Sequence, residues 1–567
     1  MEPAIPEVAD EIWTDENAEP VTWNRTKFRT QPEPLQARTH PRPSSIAMWV
    51  VKVDKNVAMD QNSFEVDQDD MVAVSVTNGT HWNNTNVAVS KLGRSTNAYN
   101  AEAWGFNSAV NVANGTHAFL SNLNITSHNG AIGLFAYGPG TQVRAQTGQV
   151  ASTGPVGHAV VAAAGSWVEA GGLTVATGGM RSSAGAAWGV GSRLRIREST
   201  ASTAGVGSPC LHAGGGSLLE ARNLSCEAGR APFLVVDASA LRGSRSRARS
   251  ARAPRVLLDS VSGSAGMLAA VVIFDNSSTP VVANKTSPVA NATTKATSTA
   301  ITVNRASPVS NVTVKATSTA TAVTWTNTMV ARPKTTVVGV SANSTALSTK
   351  TKGPQPSAKA TTVVPTQIRP LPPVRVTIKD SEIKIRDTTV AGVWIANTRA
   401  RVQIIRSSLI LEHNDTNTDG TVGESRVLVR AGGALPTRDM DKFTEEPRKP
   451  AQQLQHRPNV ITAQESTLEG DVLAAGDGSW VDWRVTMGST WVGTAGQSGN
   501  RSRVDVSLSA TSSWTMTGNA HVSRLRVEGK VPNIDSRGFM LYYNASMSGM
   551  AGTFDLPGGG RAVAVDM

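Results

Sequence analysis

The sequence predicts an all-β fold: a single-stranded parallel β-helix with about 25 residues per rung, interrupted by a disordered Ser/Thr/Pro-rich insertion. Three observations lead there. Thr116, Thr141, Ser166, Ser192 and Ser217 recur at offsets of 25, 25, 26 and 25 residues. Two and four positions after each stand apolar residues, first Ala118, Val143, Val168, Leu194 and Leu219, then Leu120, Ala145, Ala170, Ile196 and Ala221. The position between them carries Phe119, Arg144, Glu169, Arg195 and Glu220, so each segment alternates inward and outward as a strand does. The third observation is that the period returns after a long interruption. Arg375 to Ile378 is followed 26 residues later by Arg401 to Ile404, and 25 residues after that by Arg426 to Val429. Ile383 and Ile385 likewise match Leu409 and Leu411. One architecture on both sides of an insertion is the simplest account.

Residues 1–45 are acidic and then proline-rich, with seven acids and no Lys or Arg in the first 24, and they read as disordered. Residues 46–275 form the first β-helical block. Met48–Val53 and Met71–Val76 read as its early strands or cap, because an open terminal rung exposes unpaired edges. Within this block Arg144, Glu169, Arg195 and Glu220 should stack as an outward charge ladder of alternating sign. Arg242, Arg245, Arg247, Arg249, Arg252 and Arg255 fall where the next rung is due, so this stretch reads as a loop, with Val256, Leu257 and Leu258 resuming the strand. That loop is the best candidate for an anionic ligand; a basic cleavage site at Arg249 and Arg252 and a solvated loop are the competing readings.

Residues 276–369 change character to Ser, Thr, Ala, Val, Pro and Asn. Asn284–Val303 and Asn304–Val323 are a tandem duplication identical at thirteen positions. Such a tract cannot bury enough apolar surface to fix a structure, and reads as a linker or stalk. Rungs resume over 370–567, broken at 431–458 by a polar loop containing four prolines. The runs ending in Trp480, Trp491 and Trp514 follow, and then a terminal cap.

Composition bounds the function. The 567 residues carry a net charge of +11 with 5% aromatic residues. That surplus favours anionic partners such as acidic polysaccharides, phosphates or nucleic acid, and of these an anionic polysaccharide or cell-wall glycan is the expected partner, ahead of nucleic acid. Cys210 and Cys226 are the two cysteines, too few for a disulfide framework, and their spacing does not decide whether they are bridged. Met1–Pro20 lacks the basic and apolar regions of a signal peptide, and the longest apolar run, Met267–Phe274, is too short to span a bilayer. Asn-x-Ser/Thr acceptors point the other way. They occur at Asn24, Asn78, Asn83, Asn114, Asn124, Asn223, Asn276, Asn284, Asn291, Asn311, Asn343, Asn414, Asn500 and Asn544, an excess that favours an extracellular or cell-surface glycoprotein, for which the missing signal would mean a truncated or mispredicted start.

Val504–Val527, with its V-x-V-x-L, S-S-W-T-x-T-G-N and V-x-x-L elements, resembles a segment of right-handed parallel β-helix surface proteins. These are adhesin-like and autotransporter-passenger-like proteins of the pectin-lyase-like fold. Gly538–Val565 is similar to their closing hairpins. The resemblance implies a right-handed solenoid and a structural or adhesive role. The same fold hosts polysaccharide lyases and glycoside hydrolases, the alternative reading. Polygalacturonase-like enzymes carry Asn-Thr-Asp, then Asp-Asp, Gly-His-Gly and Arg-Ile-Lys; here Asn417-Thr418-Asp419 stands in a turn-like context, no Asp-Asp follows it (the pair Asp69-Asp70 is far upstream), and there is no Gly-His-Gly. Pectate-lyase-like enzymes carry a Trp-Ile-Asp-His strand, against which Trp394-Ile395-Ala396-Asn397 lacks the acid and the histidine. No catalytic, cofactor or metal residue is therefore assigned. Asp415, Asp419 and Glu424 match no calcium-loop spacing, and the Thr116–Ser217 hydroxyl column is an ice-binding ladder only in outline.

Overall fold

A computed structural model describes residues 49–53, 57–96, 98–238, 253–275, 372–386, 391–412, 426–432, 457–499, 501–529 and 533–566. They form a parallel β-helix. A typical rung has a four-residue strand such as Val160–Ala163, a tight turn, and an eleven-residue strand such as Trp167–Thr177. The short strands align in a 13-stranded parallel sheet, and the long strands build a second parallel stack beside it.

The predicted register holds residue for residue. Ala118, Val143, Val168, Leu194 and Leu219 pair in succession, as do Leu120, Ala145, Ala170, Ile196 and Ala221, and all are buried. The inner column then continues through Val256, Val376, Val402, Ile461, Trp483 and Val506. Because Val256 pairs with Val376 and Val271 with Val393, the rungs on either side of the 276–371 gap are direct neighbours.

One alignment needs correction. Arg401–Ile404 is followed in its own stack by Val460–Ala463, whereas Val427–Gly432 lies in the 13-stranded sheet on Val393–Ile395. The Arg-Val-x-Val run at 426–429 copies the Arg-Val-x-Ile spelling of the long strands although Val427, Leu428 and Val429 are buried in succession, and the segments 413–425 and 433–456 lengthen this rung. A 25-residue step therefore lands on the wrong strand. The early strands Trp49–Val53 and Val72–Val76 do pair, and Thr553–Asp555 closes the far end antiparallel to Arg561–Val565.

Each long strand bends at one residue of left-handed backbone. Asn122, Thr147, Gly172, Glu198 and Asn223 share that corner, followed by Ser260, Asp380, Arg406, Glu465 and Met487. Asn, Asp and Gly tolerate this conformation best and take four of these ten positions, while Thr147, Glu198, Ser260, Arg406, Glu465 and Met487 adopt it at a steric cost. At another corner the rungs approach so closely that a Cβ on Gly179 would lie 1.5 Å from the Gly154 carbonyl oxygen. The Thr116–Ser217 column is buried rather than presented to solvent. Thr141 Oγ1 donates to the Tyr137 carbonyl at 2.8 Å and accepts from Gly115 N at 3.1 Å, tying its own turn to the rung before. Ser192 does the same with the Trp188 carbonyl and Gly165 N. An outward ice-binding ladder is thereby ruled out for this column.

Trp188 lies between His158 and His212, with ring centroids 5.3 and 6.2 Å away. Burial holds the His158 imidazole well below its ordinary value of 6.5, and His212 and Arg181 push the same way. Burial also lowers His212, against the pull of Glu102. The folded state thus favours the neutral rings, while the unfolded chain takes up protons near 6.5. Stability is full above that value and falls as pH drops below it. Calorimetry is expected to show a lower melting temperature at about pH 5 than at about pH 7.5, and a shallower pH slope in His158→Asn. An unchanged slope in that variant would assign the effect elsewhere.

Candidate functional site

Among the described residues, the outer face of the long strands stacks polar, charged and aromatic side chains in columns. Its first column runs His81, His117, Gln142, Trp167 and Arg193, one residue per rung. The His81 and His117 rings lie 5.0 Å apart, and Trp167 is 36% exposed. Phe119, Arg144 and Glu169 stand in the adjacent outward column and complete a shallow groove with Trp167. The alternation that buries Val143 and Val168 forces these neighbours outward, so the groove follows from local pattern.

The predicted charge ladder is present in this second column. Arg144 pairs with Glu169 at 3.4 Å and Arg195 with Glu220 at 2.6 Å. The second partner of Glu169 is Arg197, at 3.3 Å and diagonally placed, instead of Arg195. Further along the first column come Leu218, Arg255, Arg375 and Arg401. Of the predicted anionic-ligand arginines, Arg255 opens the strand Arg255–Asp259, while Arg242, Arg245, Arg247, Arg249 and Arg252 lie outside the described residues.

Six of the candidate glycosylation asparagines are described. Asn78, Asn83, Asn124 and Asn223 are exposed, Asn114 is half-buried and donates to Thr77 Oγ1, and Asn544 is buried as a helix cap. The Asn124 side-chain oxygen accepts from Gln149 at 2.9 Å. Asn24, Asn276, Asn284, Asn291, Asn311, Asn343, Asn414 and Asn500 fall outside the described residues, as do Asp415, Asn417, Asp419 and Glu424.

Sequence reading missed two features. Asp482 and Asp505 are opposite each other in adjacent rungs of the same outer face. Burial raises the Asp505 carboxyl above its usual range, opposed by Arg503 and by a hydrogen bond from Trp480 Nε1 at 3.2 Å. Asp482 is held by Arg484 at 3.1 Å. The signal was two acids at matching strand positions, obscured by the 23-residue offset of these shorter rungs. The second feature is Lys91, buried where later rungs carry Ser127 and Ser152. Its Nζ donates to the Gln68 carbonyl at 2.8 Å, and burial lowers its pKa to about 8 despite Asp69, Asp70 and Asp67. Among the described residues, no three His, Cys, Asp or Glu side chains converge as a metal site, and no helix is long and apolar enough to cross a membrane.

No protein-family model matches this chain, and no curated protein or solved structure is significantly similar to it. The likeness read from Val504–Val527 therefore extends to architecture, where the stacked parallel rungs bear it out.

Proposed function

We propose that this chain is an extracellular or cell-surface β-helix protein with a structural or adhesive role, binding carbohydrate through the outer face of its long strands. The observation that supports this best is the exposed Trp167, set in a groove with Phe119, His117 and Arg144. An indole face packs against the C–H face of a sugar ring, while Gln142 and Arg144 supply hydrogen bonds to its hydroxyl or acidic groups. The buried Cys210–Cys226 bridge and the four exposed glycosylation acceptors fit an oxidising, secretory environment.

A second reading has one observation of its own. Asp505, raised by burial, beside the arginine-held Asp482 resembles the acid and carboxylate pair of glycoside hydrolysis. One experiment separates the two. Binding to polygalacturonate, heparin and dextran is measured for the wild-type chain and Trp167→Ala, and release of reducing ends from each polymer is followed in parallel. Binding weakened at least about tenfold by Trp167→Ala, without release, is the expected result. Release that disappears in Asp505→Asn would replace the adhesive reading with the hydrolytic one.

A further inference from the structure

We infer that Arg255, Arg375 and Arg401, with Arg399 and Arg457 beside them, form a binding stripe for a linear polyanionic polysaccharide lying along the stacking axis. The inference rests on the carbohydrate reading of this face and specifies the ligand's charge and direction.

Arg255, Arg375 and Arg401 are register partners in three consecutive rungs. The rung repeat places their Cα atoms about 4.8 Å apart. All three side chains are exposed. Among the described residues none of the three makes an ion pair or a side-chain hydrogen bond. The next outward residue on each strand is uncharged: Leu257, Thr377 and Gln403. The acids closest along these strands are already engaged, Asp259 by Arg222 at 3.0 Å and Lys379 at 3.5 Å, and Asp380 by Arg406 at 2.6 Å.

The contrast with the neighbouring column is informative. There the cations Arg144 and Arg195 stand against Glu169 and Glu220. Here the like charges directly opposite one another are left uncompensated, an arrangement that destabilises a sheet. Arg399 adds a second, independent sign. Its Nε is buried with no hydrogen-bond partner, and Arg457 and Arg401 both crowd it. That Nε is closed to solvent and is no contact site itself; the crowding of Arg399 by Arg401 and Arg457 concentrates positive potential, which an anion lying on the exposed stripe relieves.

The guanidinium fork matches carboxylate and sulfate groups, which a chain of acidic sugars presents at every residue or two along its length. A nucleic acid fits less well, because the intervening residues Leu257, Thr377 and Gln403 offer no aromatic face for a base. The stripe is also separated from Trp167, which lies three rungs before Arg255 with Arg193 and Leu218 between. The two regions can therefore be tested apart.

The full chain, the double variant Arg375→Ser/Arg401→Ser and Trp167→Ala are compared for binding to heparin, polygalacturonate, dextran and single-stranded DNA at roughly 0.15 M salt. The double variant is expected to lose at least about tenfold in affinity for both polyanionic polysaccharides. Its melting temperature without ligand should equal or exceed that of the wild type, and should no longer rise on adding heparin. Wild-type affinity in the double variant overturns the stripe while leaving the carbohydrate reading intact. A lower melting temperature of the free double variant likewise overturns it, by showing that the arginines serve the fold. Wild-type protein that binds none of the polysaccharides removes the carbohydrate reading, and tighter binding to DNA than to either polyanion rejects the ligand class.

Discussion

Trp491→Ala is expected to lower the free energy of unfolding by about 3–5 kcal/mol, the range for removing a fully buried large aromatic side chain. Trp491 is completely buried, stacked on Trp514 at 4.5 Å and edge-on to Trp483 at 5.8 Å. Its Nε1 also donates to the Gly470 carbonyl at 2.8 Å, as Trp514 does to Gly493 at 2.9 Å. Alanine therefore leaves a cavity, an unstacked Trp514 and an unpaired carbonyl together. Neighbouring rungs support one another in a solenoid, so the C-terminal rungs should melt first and separately. Chemical denaturation followed by far-ultraviolet circular dichroism checks this. Trp167→Ala, at an exposed position, is the control and should cost well under about 1 kcal/mol. Equal losses in the two variants would mean that the tryptophan stack contributes little.

Removing the Cys210–Cys226 bridge with alanine at both positions is expected to cost about 3 kcal/mol. The bridge closes a separation of 16 residues and both sulfur-bearing side chains are buried, so the native rung already holds them in position. The gain comes largely from restricting the unfolded chain, with the size set by the length of the closed loop. Denaturation of the wild-type and double-alanine proteins under non-reducing conditions gives the difference directly. Two reactive thiols in freshly unfolded, unreduced wild-type protein would show that the bridge does not form.

The legible part of this fold was what repeats locally. Which face of Val143, Val168 or Leu194 points inward follows from a period of two. Which residue stacks on which follows from the 25-residue period, provided the turns between strands are short. The charge ladder was legible for the same reason, down to the pairing of Arg144 with Glu169. The step to Arg426 failed because insertions lengthened that rung and a short, continuously buried strand shares the Arg-Val-x-Val/Ile spelling of the long ones. The corner of left-handed residues was visible only as scattered Asn, Asp and Gly. Its position within each rung becomes plain once the strands are stacked.

The candidate site was less legible. Arg375 and Arg401 stood out as repeat markers, yet nothing in their spacing brought them beside Arg255, 120 residues before Arg375 in the chain. The two acids Asp482 and Asp505 were hidden by the shorter C-terminal rungs. Trp480 and Trp491 close similar Gly-Ser runs, but Trp491 turns into the core while Trp480 stays half-exposed under Arg503, 4.1 Å from its ring centre.

Sequence by itself determined the rung: its length, its inward residues and the alternation of charge on its outer face, because each of these is fixed by chain geometry over a few residues. Tertiary structure alone decided the neighbours across the gaps: Val256 on Val376, Arg255 on Arg375, and the sulfur of Cys210 on that of Cys226. The physical reason is that an excursion of any length can leave and rejoin a stack at a closure cost that grows only with its logarithm. Across such an excursion, separation along the chain therefore carries almost no information about contact, and Arg255 joins the arginine stripe only because two rungs far apart in sequence were folded together.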